Sequence, residues 1–178
     1  MHRFLSASLT LALVIAAPLS AQNVTRRPFS LDLALGASNG WGGYYGTGHG
    51  LAIEATFAPA HTSAWVTALT AGLRGVPRGE NCLIGPGRPP CRLPFPLLAH
   101  VGLLGGLEHA ISGLTVRGAL GPAFFAGDDG KGLGPIARVD LSTGTRHIAL
   151  VLVGQGELVI RSGETLRRGA IMLGARLR

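Results

Sequence analysis

The chain is poor in the features that solubilise most proteins. Charged residues make up 14% of it, against roughly 25% in a typical soluble domain, and Lys131 is its one lysine. That scarcity excludes an extensive lysine- and glutamate-covered surface. Long apolar runs are missing too. Beyond the first residues, no stretch approaches the roughly 20 apolar positions that a spanning helix needs. Mean hydropathy is nevertheless positive. A chain this apolar without spanning helices has to hide its apolar residues differently, and strands of alternating character can do so.

Cysteine is scarce as well: Cys82 and Cys91 are the only two. No histidine or carboxylate pair flanks them at ligand spacing, which argues against a metal site. In an oxidising compartment they are expected to join as a disulfide closing a short loop.

The start of the chain supplies that compartment. His2 and Arg3 precede an apolar run from Phe4 to Ala17, broken only by Ser6, Ser8 and Thr10. Pro18 ends the run, and the small residues Ser20 and Ala21 precede Gln22. This is the pattern of a cleavable secretory signal, with the cut expected after Ala21. The run is too short for a retained membrane helix, and no cysteine follows it to carry a lipid. Residues 22–178 are then expected to form one domain.

The formal charge of +7, one unit of which is Arg3 in the signal, comes almost wholly from arginine. A basic balance can mark a nucleic-acid binder. Export and the dispersal of the arginines argue against that partner. Acidic lipid headgroups, or carboxylates inside the protein, are the expected counterparts.

Eight segments read as strands. Phe29 to Ala37 alternates over its whole length, with Phe29, Leu31, Leu33, Leu35 and Ala37 opposite Ser30, Asp32, Ala34 and Gly36. That is a period of two, unlike any helical pattern. The others are Leu51–Ala58, Ala64–Arg74, Leu97–Glu108, a segment starting after Ser112-Gly113, Ile136–Leu141, His147–Ile160 and Leu166–Leu177. Their connections tend to alternate in length. Asn39–Gly50 and Val76–Pro96 are long, Gly127–Gly134 is intermediate, and Ala60–Ser63, Ala110–Gly113 and Ser142–Thr145 are short. Arg161–Thr165 is shorter than that pattern predicts.

The less apolar face of these strands offers mainly Ala, Gly, Thr and Ser with about one charge per strand. It suits a crowded interior better than water. An eight-stranded barrel has a lumen just wide enough for side chains to fill. Asp32, Glu54, Glu108, Asp140 and Glu157 are expected to pair there with Arg117, Arg138, Arg168 and Arg176, because unpaired charges in such a space are costly. Leucine, isoleucine and valine then face outward to lipid.

With its signal, its alternating segments and a last strand reaching almost to the C-terminus, the chain resembles the small eight-stranded outer-membrane barrels of Gram-negative-type bacteria. That class includes the membrane domains of OmpA- and OmpX-like proteins. The resemblance implies an all-β, antiparallel up-and-down barrel of transmembrane type, with outer-membrane lipid and the outer-membrane assembly machinery as partners. It implies a non-enzymatic structural, adhesive or loop-mediated binding role, with no cofactor. The competing expectation is a soluble periplasmic barrel that holds a small apolar ligand inside, as lipocalins do.

Candidate chemistry is weak elsewhere. Gly40–Gly50 holds Trp41, Tyr44, Tyr45 and six glycines, but strands on both sides exclude a phosphate-cradling loop, which opens a helix. Asp128-Asp129-Gly130 lacks the ligand spacing of a calcium loop and reads as a hairpin turn. His61-Thr62-Ser63 near Glu54 invites comparison with outer-membrane lipid A deacylases, yet the residues after the serine do not match. An outer-membrane lipid-modifying enzyme is therefore the third expectation. His49, His109 and His147 are scattered, and His100 is expected to line the lumen as a hydrogen-bonded structural residue.

Overall fold

The computed structural model describes residues 29–41, 48–61, 64–75, 97–127, 130–161 and 164–178. They form β1 (Ser30–Trp41), β2 (Gly48–Ala58), β3 (Trp65–Gly75), β4 (Leu97–Ile111), β5 (Leu114–Gly127), β6 (Gly130–Gly144), β7 (Ile148–Arg161) and β8 (Glu164–Leu177). Each strand pairs antiparallel with its sequence neighbours, and β8 returns to β1 to close the barrel. Closure leaves no sheet edge, the condition for crossing a hydrocarbon layer with strands. The signal segment, Cys82, Cys91, Thr62, Ser63, Asp128 and Asp129 lie outside the described residues.

The parity is inside-out relative to a soluble barrel. Leu35 is 57% exposed and Ile171 69%, whereas Asp32 is 1% exposed and Arg176 0%. Along β7 the alternation is strict: Ile148, Leu150 and Leu152 face out while Ala149, Val151 and Val153 face in. In water such an outer surface would be a large association-prone apolar patch. Against lipid it is the favoured surface. Phe29, Phe57 and Trp65 lie exposed on the outside near the β2–β3 turn, with the rings of Phe29 and Phe57 6.4 Å apart. Aromatic side chains in that place form the interfacial girdle of a membrane barrel.

Several strands run further than the sequence reading. The principal correction is β6, which begins at Gly130 and not at Ile136. Residues 130–135 carry four residues that are glycine or proline and read as loop, but cross-strand pairing overrides their propensity. Gly127 pairs with Gly130, and the register continues unbroken through Pro122 opposite Pro135. The two prolines are accommodated by geometry. β4 pairs with β5 on either side of Pro122, and β6 with β7 on either side of Pro135, with the ladder interrupted at both prolines. The missing N–H of each proline thus points away from the other, toward the interruption. Both follow a glycine. A Cβ on Gly121 would lie 1.9 Å from the Leu103 carbonyl oxygen, and one on Gly134 1.7 Å from that of Leu158. Only glycine permits the neighbouring strand to approach so closely at these two positions.

The connections are correspondingly shorter. β5 and β6 are joined through residues 128–129 and β7 and β8 through 162–163. The alternation of long and short connections is therefore weaker than the sequence reading, and its one extended connection is 76–96. At the opposite end, Ser112 (φ 45°) and Gly113 (φ 86°) make the tight β4–β5 turn, the pair of positive φ values that a two-residue hairpin of matching twist requires.

Candidate functional site: the ion-paired lumen

The inward parity brings charged residues from all the strands into one continuous network. Arg117 on β5 donates from Nε to Glu108 Oε2 at 2.7 Å and from Nη2 to Ser30 Oγ at 3.2 Å. Its Nη1 lies 3.8 Å from Asp32 Oδ2. Arg176 on β8 holds Asp32 with two bonds, Nε to Oδ1 at 2.7 Å and Nη2 to Oδ2 at 2.8 Å. The same guanidinium reaches Asp140 Oδ2 at 3.0 Å and Ser142 Oγ at 3.1 Å.

Arg138 continues the chain. It donates to Asp140 Oδ1 at 2.6 Å, to Thr56 Oγ1 at 2.6 Å and to Asp32 Oδ2 at 3.3 Å, and it also pairs with Glu54. Arg74 on β3 then bridges two carboxylates, with Nη2 to Glu54 Oε2 at 2.5 Å and Nε to Glu157 Oε1 at 3.1 Å. Gln155 donates to the same Glu157 oxygen at 2.9 Å. All of these residues are buried.

Burying charge in this way demands mutual neutralisation. Isolated ions would each carry a desolvation penalty of several kcal/mol, which falls only when opposite charges and hydrogen bonds surround them. The forked guanidinium suits that task because it satisfies two or three oxygens at fixed angles. Apolar side chains fill the remaining lumen in two groups. One includes Leu98, Leu104, Phe125, Ile136 and Val159; the other includes Val151, Val153 and Met172.

The structure thus unites Asp32, Glu54, Glu108, Arg117, Arg138, Asp140, Glu157 and Arg176. Arg168 differs. It has inward parity and stands opposite Glu157 in register, but it is only half-buried, nearer the rim. Arg74 is a full member that the sequence reading left out. The signal was present: Arg74 shares its parity with Val66, Ala68 and Thr70 on the face opposite Trp65 and Leu69. His100 does line the lumen, with Nε2 3.4 Å from Glu54 Oε2, though neither ring nitrogen meets hydrogen-bond geometry.

Other candidates fall apart from this network. His61 lies at the β2–β3 turn with Nδ1 3.2 Å from the Pro59 carbonyl oxygen, while Glu54 is engaged by arginines in the lumen. His49 and Asn39 meet side chain to side chain at 2.7 Å at the opposite end, beside residues 42–47, which are not described. His109 and His147 are exposed.

No protein-family model and no curated protein sequence matches the chain. Among solved structures it is similar to Neisserial surface protein A, with a TM-score of 0.63 and 11% identity over 86% of this chain and 98% of that one. A weaker likeness links it to Ail, the attachment invasion locus protein of Yersinia pestis, with a TM-score of 0.48 and 12% identity over 85% of this chain and 99% of that one. At such identities the likeness is one of architecture. The chain has the fold of the small eight-stranded outer-membrane barrels.

Proposed function

We propose that this protein is a non-enzymatic outer-membrane barrel, exported by a signal at residues 1–21, whose lumen is closed and whose contacts are made by its exterior loops. The observation that carries this reading is the combination of an apolar outer face with a lumen packed by paired charges. A soluble barrel holding an apolar ligand needs the reverse parity. Outer-membrane lipid and the assembly machinery are its proposed partners. Segments 39–50 and 76–96 are its proposed contact surface, and a Cys82–Cys91 disulfide is proposed to constrain the second. Its role is structural, adhesive or binding.

The closed lumen distinguishes this reading from a pore. An eight-stranded barrel filled by side chains leaves no aqueous channel. Purified protein reconstituted in planar bilayers is expected to give no large stable conductance steps. Reproducible large steps would overturn the reading. Cell fractionation adds the location: the protein should enter the outer-membrane fraction and need detergent for extraction.

A further inference from the structure

We propose that Glu54, His100 and Glu157 form a lumen site for a divalent transition-metal cation of the Zn2+ type. The three side chains come from β2, β4 and β7, and one ligand atom from each lies within 4.8 Å of the other two. His100 Nε2 is 3.4 Å from Glu54 Oε2, and Nδ1 is 4.0 Å from Glu157 Oε1. All three are buried, and the His100 side chain is 0% exposed.

The cluster alone would be ordinary for a charged lumen. Its unmet hydrogen bonding is not. Both ring nitrogens of His100 are buried without a hydrogen bond, and so are Glu157 Oε2 and the neighbouring Gln155 Oε1. A buried polar atom left this way has given up its hydration with no bond in return. Within the charge network described above, Arg117 Nη1 is the other buried atom left so, whereas four such atoms fall on His100, Glu157 and Gln155. Within the cluster the unmet atoms include two lone-pair donors, an imidazole nitrogen and Glu157 Oε2, and Gln155, which bonds Glu157 through its amide nitrogen, carries an unmet amide oxygen. A cation satisfies such atoms together.

The imidazole is also held in place. A Cβ on Gly72 would come within 2.6 Å of His100 Cε1, and the Phe125 ring centroid is 5.9 Å away on a tilted plane. Glycine at position 72 therefore makes room for the ring beside Glu54. One imidazole with carboxylate oxygens is a donor set that suits Zn2+ and its first-row neighbours. Arg74 and Arg138 oppose the cation, since Arg74 bonds both Glu54 and Glu157 and Arg138 also pairs with Glu54. Glu157 keeps Oε2 free of that bond, so the metal and the guanidinium can share the carboxylate.

The test uses the full barrel folded in detergent, titrated with Co2+ and then Zn2+. One Co2+ per chain should bind with visible d–d absorption that Zn2+ abolishes. His100→Asn and Glu157→Gln should each weaken binding by about 100-fold or more, exceeding the 10–100-fold effect typical of groups that only support ligands. Heat-modifiable gel mobility verifies that each variant is folded, and should either variant fail to fold, the other and the wild-type measurements decide. X-ray absorption on the zinc form should show nitrogen and oxygen ligands. Absence of stoichiometric uptake by the wild type, binding undiminished in a folded variant, or a sulfur shell reporting Cys82 and Cys91 would each overturn the proposal.

Discussion

Arg176 and Asp32 face each other across the seam where β8 meets β1, in register and joined by two bonds of 2.7 and 2.8 Å. The last strand is thus tied to the first by a forked ion pair inside the barrel as well as by the backbone ladder. Asp32 also serves Arg138 and lies near Arg117, so one carboxylate anchors three guanidiniums.

Removing that anchor should be severe. Asp32→Asn leaves Arg176, Arg138 and Arg117 each short of one of their buried charge partners and is expected to cost about 3–5 kcal/mol. The double change Asp32→Leu with Arg176→Met should be less damaging than Asp32→Asn, because it withdraws both charges together. Urea unfolding in detergent micelles provides the comparison. A loss below about 1 kcal/mol for Asp32→Asn, the range of exposed ion pairs, contradicts the buried-network account.

A charge on the outside should be costly for a different reason. Ile171 is 69% exposed near the middle of β8. Ile171→Arg should lower folding stability in lipid vesicles by about 2–4 kcal/mol, the penalty for arginine near the bilayer midplane. A neutral effect places Ile171 in water and contradicts the lipid-facing assignment.

The two glycine-proline corners carry a steric prediction. Gly134→Ala and Gly121→Ala each push a methyl group into a neighbouring carbonyl oxygen. Each should destabilise by about 1–3 kcal/mol or more, the cost of overpacking. Gly105→Ala, where an added Cβ meets nothing within 4 Å, is the control and should be near neutral. Equal effects at all three positions contradict the close approach at the corners.

What the sequence revealed depended on which residues line the lumen. Where the inside holds charge, as at Asp32, Glu54 and Asp140, alternation is plain. It fades in the first half of β7, because Ala149, Val151 and Val153 pack an apolar part of the lumen and resemble their lipid-facing neighbours. Residues 130–135 were illegible because glycine and proline signal a loop, and only pairing with β5 makes them strand. Arg74 was readable from parity but stood at the end of its segment. The convergence of His100 with Glu54 and Glu157 was beyond reach, since it depends on the stagger of three strands separated by up to 103 residues in sequence between Glu54 and Glu157.

The orientation of the two faces is tested most directly by spin labels on single cysteines in a Cys82→Ser/Cys91→Ser background, in vesicles. Labels at Leu35 and Leu173 should be reached by oxygen dissolved in lipid and shielded from a water-soluble nickel chelate. A label at Ser142 should be shielded from both. Nickel access at Leu35 and Leu173 equal to that of a rim position such as Lys131 would contradict the account.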